Sequence, residues 1–277
     1  MNNRELILLM QQMLISKGEN PSIANWIFCE VNNLASISQI TSIESNDVND
    51  KEKYLNYLKR YLDGEPLARI FKHFNFYYHD FNVHDGVFCP RLDTEILVDK
   101  VLELCKNKTN LNILDMCAGT GIIGLSLKLS LPKSKVTCTD INPLAINNIK
   151  DNANKLGVEI FVIESNLFSN LKSEKFNAFV CNPPYISRDE ELSPSVTKYD
   201  PDNALFADNN GLAIYEQIIM LLKHHITLDS YLIAFEIGYQ QANAVKQLLM
   251  QFDDSCIIDI YKDYNYHDRV VIARKGF

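Results

Sequence analysis

Three observations predict an α/β fold with a mostly parallel sheet, helices on both of its faces, and a small helical domain ahead of it. From about residue 94, apolar strand-like runs alternate with segments of helical spacing. The first of those strands, "LNILDM", leads into the Gly-rich turn "GTGIIG", which spans Gly119 to Gly124. The first 65 or so residues carry helical periodicity alone and precede an aromatic, roughly alternating stretch.

Each element follows from its local residues. Helices are expected over residues 3–17 and 21–34, separated by the turn Gly18-Glu19-Asn20-Pro21. After the polar stretch "TSIESNDVND", the segment "KEKYLNYLKRYLD" resumes helical spacing through Tyr54, Leu58 and Leu62. Residues 1–66 are therefore assigned to an N-terminal helical bundle. Residues 67–90, with "ARIFKHFNFYYHDFNV", are assigned to a β-hairpin linker, and residues 91–277 to the α/β domain. In that domain "TEILVDKVLELC" places Leu97, Val101 and Leu104 on one helical face. The Gly-rich turn leads into a helix over 121–130, and "KVTCTD" is the next strand. Asn142 caps the following helix, Pro143 takes its first position, and Gly157 ends it. Ile146, Ile149, Ala153 and Leu156 form its buried face. Further strands are expected at 159–164, 177–181 and 230–236, with helices at 211–225 and 239–251. Strands 256–261 and 268–274 close the sheet as an antiparallel hairpin.

Composition excludes several classes. A chain of 277 residues, 47% apolar, can bury a full core. The formal net charge of -8 argues against a large phosphate footprint, so no direct contact with nucleic acid is expected. The seven cysteines form no CxxC pair and are odd in number, which fits small apolar filler in a reduced, cytoplasmic protein. The six histidines lack ligand spacing, so no metal is expected. Arg4 and Glu5 interrupt the apolar N-terminus, which makes a poor signal peptide, and no run approaches a membrane span.

The Gly-rich turn points to a nucleotide-like cofactor. Glycines between a strand and a helix let the backbone approach a ligand. Asp140 ends the next strand, 19 residues after Gly121, where a carboxylate can accept from ribose hydroxyls. A tight turn that merely needed glycine would not require that carboxylate. NAD is one candidate. However, Asp115-Met116-Cys117-Ala118 separate the strand from the first glycine, and Asp115 offers a carboxylate to a cationic group. That suits S-adenosyl-L-methionine, which carries an ammonium and a sulfonium and no pyrophosphate.

The corner "NPPY", Asn182 to Tyr185, ends a buried strand at the sheet edge where ligands bind. Two prolines suffice to stop a strand, but they require neither Asn before them nor Tyr after. An amide or exocyclic amine nitrogen is a poor nucleophile because its lone pair is delocalised. The Asn182 side-chain oxygen and the Pro183 carbonyl can accept its two hydrogens and orient the lone pair, while Tyr185 packs against the planar group. Asn182, Pro183 and Tyr185 are thus the candidate catalytic residues.

"ILDMCAGTG", "TDINPLAINNIKDNANKLGV" and "NPPYI", in that order, resemble a class I S-adenosylmethionine-dependent methyltransferase with a Rossmann-like sheet. "GEPLARIFKHFNFYYHDFNV", "CPRLDTEILV", "VTKYDPDNALFADNNGLAIYEQI", "FEIGYQQ" and "DRVVIARK" are similar to the HemK/PrmC family of release-factor glutamine methyltransferases, from about residue 64 onward. The resemblance implies methylation of the side-chain amide of the glutamine in the Gly-Gly-Gln loop of peptide chain release factors, a step in translation termination. It implies a cofactor site formed by Asp115, Cys117, Ala118, Gly119, Thr120, Gly121, Asp140, Leu167 and Asn182. It also implies a substrate site formed by Asn182, Pro183, Pro184, Tyr185, Arg91 and Glu95, with the N-terminal helices docking the release factor. A monomer is expected.

Seven residues at four places depart from the family pattern. Cys117-Ala118 replaces a usual Gly-Thr, and Asn166 and Leu167 stand where an acid and often an aromatic occur. Asp200 replaces a Glu before Pro201, and Ala207-Asp208 replaces a glycine pair. Altered cofactor affinity with intact chemistry is the expectation. The alternatives are methylation of a ribosomal-protein glutamine, methylation of an exocyclic base amine, an NAD-dependent oxidoreductase, and a binding module without activity. "PRLDTE" favours the release-factor branch over the first. The lack of a basic cluster beyond "KYLNYLKR" disfavours the second. An NAD enzyme leaves the Asn-Pro-Pro-Tyr corner without a purpose.

Overall fold

The computed structural model describes residues 1–172, 174–192 and 194–277. It divides into two units, Met1–Phe71 with Pro194–Tyr199, and Lys72–Ser193 with Asp200–Phe277.

In the first unit, Asn2 caps α1 (Asn3–Ser16) through its side chain, and Glu5 reaches back in a full capping box. Leu6, Met10 and Leu14, four residues apart, are completely buried. α2 (Ile23–Val31) packs Ile27 and Phe28 into the same core, and Phe28 stacks on Tyr54 of α3 (Lys51–Leu62) at 5.6 Å between ring centroids. Both α2 and its expected segment agree in position, but α2 is shorter. The polar linker carries a 3₁₀ turn, Ile37–Ser42, that anchors through Ile40. α4 (Leu67–Phe71) occupies the start of the stretch expected as hairpin. Pro66 opens it, and its carbonyl receives the Arg69 and Ile70 amides.

The second unit begins with a hairpin, β1 (His73–Phe76) and β2 (His79–Asn82). Its two-residue turn places Tyr77 at φ 47° and Tyr78 at φ 67°, a conformation that normally selects Asn or Gly. α5 (Thr94–Cys105) follows, then β3 (Asn112–Met116), α6 (Ile122–Ser130), β4 (Lys135–Asp140), α7 (Pro143–Leu156), β5 (Phe161–Glu164) and β6 (Ala178–Cys181). A short pair comes next, β7 (Ile186–Ser187) beside β8 (Phe206–Ala207). In chain order α8 (Pro194–Tyr199), which belongs to the first unit, and α9 (Asp202–Leu205) come between them. The chain ends with α10 (Ala213–Leu222), β9 (Tyr231–Glu236), α11 (Ala242–Phe252), β10 (Ile257–Lys262) and β11 (Asp268–Lys275).

The seven-stranded sheet has the order β10-β11-β9-β6-β3-β4-β5. The five central and outer strands from β9 to β5 run parallel, and β11 is antiparallel to both neighbours. Strand β6 is buried at every residue and β9 likewise, as expected for strands covered on both faces. One apolar core lies under α5, α6 and α7, and a second lies under α10 and α11. The chain order reverses beside β3, which pairs with β4 on one side and β6 on the other. That reversal opens a crevice at the C-terminal ends of β3, β4, β6 and β9.

Candidate active site

The turn after β3 is shaped by three left-handed residues: Cys117 at φ 56°, Gly119 at φ 57° and Gly121 at φ 80°. Cys117 pays for that conformation with a Cβ, which fits its replacing a glycine. Gly119 faces open space, since nothing lies within 4 Å of a Cβ built on it. Gly124 is required for packing, because a Cβ there would lie 2.4 Å from Cys138 Sγ and 2.9 Å from Asp115 Oδ2.

Asp115 is completely buried beneath the turn. Its Oδ2 accepts the Gly124 amide at 2.8 Å, and Oδ1 has no partner. Burial pushes its pKa up to about 7. Through that bond Asp115 ties β3 to the first turn of α6. Asp140 is the better exposed carboxylate. Its Oδ2 accepts the Gly119 amide at 2.8 Å and its Oδ1 the Asn142 amide at 2.9 Å. Each oxygen keeps a further lone pair for a ligand hydroxyl. Its pKa is also raised by burial.

Three amides of the turn and the first turn of α6 are engaged within the protein. Gly119 donates to Asp140, Gly121 to the Ala118 carbonyl, and Gly124 to Asp115. A pyrophosphate here would sit beside the Asp140 carboxylate, which disfavours a dinucleotide. A cationic nucleoside is compatible with this turn, because Asp140 is partly exposed and Gly119 opens onto free space. Ala118 and Thr120 are buried within the turn. Leu167, at φ 48°, lies in a loop held by Ser165, whose amide bonds the Asp140 carbonyl and whose hydroxyl bonds the Leu167 carbonyl. These bonds tie the loop to the end of β4, and Asn166 beside Leu167 is exposed.

Asn182 to Tyr185 follow β6 directly, with Pro183 buried and Asn182, Pro184 and Tyr185 half-buried. Among the described residues no hydrogen bond ends on the Pro183 carbonyl. Tyr185 is clamped from behind. Its carbonyl accepts Gln241 Nε2 at 2.8 Å, and a Cβ on Gly211 would come within 1.9 Å of that oxygen. Gly211 itself has φ 80°, so both its space and its backbone demand glycine. Burial pushes the Tyr185 hydroxyl up to about 12, which keeps it neutral.

Arg91 and Glu95 separate in role. Arg91 Nη2 pairs with the buried Asp200 at 2.7 Å, Nη1 donates to the Cys89 carbonyl at 2.8 Å, and the guanidinium lies 5.1 Å from the Phe88 ring centroid. Asp200 also accepts the Cys89 amide at 2.9 Å, so it clamps the "CPR" segment although it is one methylene shorter than Glu. Glu95 Oε1 instead accepts the Tyr77 amide at 2.7 Å. It braces the hairpin turn at Tyr77.

Sequence reasoning missed Asn148 and Asn152, both completely buried on α7. Asn152 Nδ2 donates to the Thr120 and Asn82 carbonyls at 2.9 and 3.0 Å, and its Oδ1 accepts the Asn82 amide at 2.7 Å. Asn148 donates to the Asn82 carbonyl and accepts the His84 amide. Together they weld the end of the hairpin to the Gly-rich turn. Their spacing of four beside an apolar stripe was the available signal. Gly211, Gln241 and Glu236 were missed too, although all three lie in motifs already noted.

No helix among the described residues is long and apolar enough to cross a membrane.

Comparison with known proteins bears on this geometry. A family model described as "Methyltransferase small domain" matches residues 79–199. A release factor glutamine methyltransferase of Staphylococcus aureus is 34% identical over 96% of this chain and 95% of its own length. One of Fusobacterium nucleatum is 38% identical over 93% of this chain and 74% of its own. A solved methyltransferase of Pyrococcus furiosus, 14% identical, superposes over 80% of this chain and 99% of its own with a TM-score of 0.53, a likeness of fold alone.

Proposed function

Because the chain belongs to the family of release factor glutamine methyltransferases, we propose that it transfers a methyl group from S-adenosyl-L-methionine to the side-chain amide nitrogen of the Gly-Gly-Gln glutamine of peptide chain release factors. The observation that carries the reading is the Asn182–Tyr185 corner at the end of β6, held from behind by Gly211 and Gln241 beside a carboxylate-rich turn.

When bound, the cofactor supplies an electrophilic methyl on a sulfonium, which leaves as a neutral thioether. The chain does the rest by positioning. Asp140 takes the ribose hydroxyls, with the turn from Cys117 to Gly121 and Leu167 lining the remaining surface. The Asn182 oxygen and the Pro183 carbonyl accept the two amide hydrogens of the glutamine. This fixes the nitrogen lone pair toward the methyl and raises its electron density as positive charge develops. Pro184 prevents the corner from joining a ladder, and Tyr185 presents a neutral ring to the amide plane. The methylated nitrogen is strongly acidic, so its proton is lost to solvent without a dedicated base. Arg91 and Asp200 hold the loop ahead of α5.

Transfer of label from the cofactor to a wild-type release factor, but not to its Gln→Ala variant in the Gly-Gly-Gln loop, is the expected result. Equal labelling of both contradicts the substrate assignment. The helical unit is assigned to docking the release factor. Its half-exposed Trp26 is a large apolar group open to a partner. Trp26→Ala should raise KM for the whole release factor and leave KM for a short Gly-Gly-Gln peptide unchanged; equal effects on both refute the docking role.

A further inference from the structure

Asn182 can accept the substrate's hydrogens only if its side-chain oxygen, not its NH2, faces the pocket. An amide can be turned either way with almost no change in shape. Flipped, it would present two donors to the donors of the substrate amide, and the corner would repel what it should hold. Something beside Asn182 must choose.

The parallel register supplies the neighbour. Cys181 of β6 pairs with Phe235 of β9, so the next residues, Asn182 and Glu236, emerge side by side at the sheet edge. Glu236 is 2% exposed. Its backbone is fixed on both sides, by pairing with Val270 of β11 and by the Tyr215 hydroxyl, which donates to the Glu236 carbonyl at 2.8 Å. Its Oε2 is buried with no hydrogen-bond partner. The Thr94 and Asn182 side chains, both able to donate, lie beside the carboxyl and lower its pKa. The charged and titratable groups around it are Asp93 ahead of α5, Tyr185 after β6, Tyr215 of α10, and Arg269 of β11. Arg269 is itself held by Asp263 at 3.1 Å and by the Ile237 carbonyl at 3.2 Å. It therefore contributes charge from a fixed position.

We propose that Glu236 is a positioning residue for methyl transfer: its enclosed carboxylate takes the Asn182 NH2 and so fixes the Asn182 oxygen toward the substrate amide. An ionised carboxylate only accepts, so turning Asn182 over would set its oxygen against another acceptor in a buried site. A protonated Glu236 can donate, and the preference is lost. Burial pushes the Glu236 pKa up to about 7, with Thr94, Arg269 and Asn182 opposing the rise. The ionised, orienting form is therefore lost as pH falls through that value. The inference rests on the methyl-transfer reading for its kinetic consequence, but the orientation itself does not.

The test uses the full chain and its isosteric variant Glu236→Gln, which can donate as well as accept. In a 15N-labelled sample, the Asn182 side-chain NH2 signals, assigned by their loss in Asn182→Asp, should titrate with a midpoint near 7 and stop titrating in Glu236→Gln. In turnover assays Glu236→Gln should lower kcat by about 10- to 100-fold, the range for losing a charge-assisted hydrogen bond. Cofactor affinity should stay close to wild type, and the melting temperature should not fall, because the amide removes the cost of burying a carboxylate. The acid limb of the wild-type kcat profile should vanish in Glu236→Gln and persist in Asp115→Asn. Asn182 signals that ignore pH, an acid limb that survives in Glu236→Gln, or parallel losses of kcat, cofactor affinity and melting temperature each overturn the proposal. The NMR arm needs no methyl acceptor, so an error in the substrate assignment is told apart from an error here.

Discussion

Gly211→Ala should separate the clamp behind Tyr185 from general stability. The added Cβ would lie 1.9 Å from the Tyr185 carbonyl oxygen, 2.7 Å from its carbon and 2.6 Å from Gln241 Nε2. The carbonyl belongs to backbone, so it cannot swing aside as a side chain does. Opening the contact to a tolerable separation moves Tyr185 or the Gly211 loop by about 1 Å, and a misplacement of that size costs on the order of 100-fold in rate. The left-handed backbone at φ 80° adds about 1–2 kcal/mol of strain, and overpacking adds about 1–3 kcal/mol. Gly157→Ala is the matched control. Gly157 has φ 66° at the end of α7 with nothing within 4 Å of a Cβ, so only the strain applies. The expected outcome is a melting temperature lowered in both variants and a kcat lowered about 100-fold in Gly211→Ala alone. Cofactor affinity, measured by calorimetry, should change far less. Wild-type kcat in Gly211→Ala, or equal kcat losses in the two variants, would refute the claim that Gly211 sets the position of the corner.

Two further outcomes follow from the turn. Cys117→Gly removes a side chain from φ 56°, so chemical denaturation should show a gain of about 1 kcal/mol; a loss would mean that its packing against the core under α10 and α11 outweighs the strain. Asp115 has its folded pKa raised to about 7 against an ordinary value of 3.8, so the folded state binds more protons between those values. Its contribution to stability is complete below about 4 and is lost as pH rises toward 7. Asp115→Asn should therefore flatten the fall in stability across that window, by on the order of a few kcal/mol, and an unchanged slope in thermal scans would exclude the buried titration.

Much of the α/β unit was legible because its strands are apolar throughout and its helices are punctuated by strong signals. "AFVC" and "YLIAFE" can be buried on both faces only as central strands. Asn142-Pro143 and Gly157 marked both ends of α7 to the residue. The corner and Asp140 were legible because Pro, Asn and a strand-ending Asp have few other reasons to occur together. What stayed hidden depends on contacts between distant segments. Asn148 and Asn152 look like polar helix surface until the hairpin end lies over them. Glu95 reads as part of a substrate motif, and only the fold shows that it also accepts the Tyr77 amide of a turn that carries Tyr where Asn or Gly would be relaxed. α4 was masked by aromatic alternation that fits a strand as well as a single helical turn. Asp115 is visible as a motif residue, but its enclosure appears only once Gly124 has brought α6 against β3 and β4.

The central claim, that Asn182 and the Pro183 carbonyl hold a glutamine amide for methylation, is tested most directly by locating the methyl. Release factor incubated with S-adenosyl-L-methionine and either wild-type enzyme or Asn182→Ala would be digested and sequenced by tandem mass spectrometry. The account predicts one methyl on the Gly-Gly-Gln glutamine side chain with wild type, and none with Asn182→Ala despite retained cofactor binding. A methyl on any other residue, or full methylation by Asn182→Ala, would contradict it.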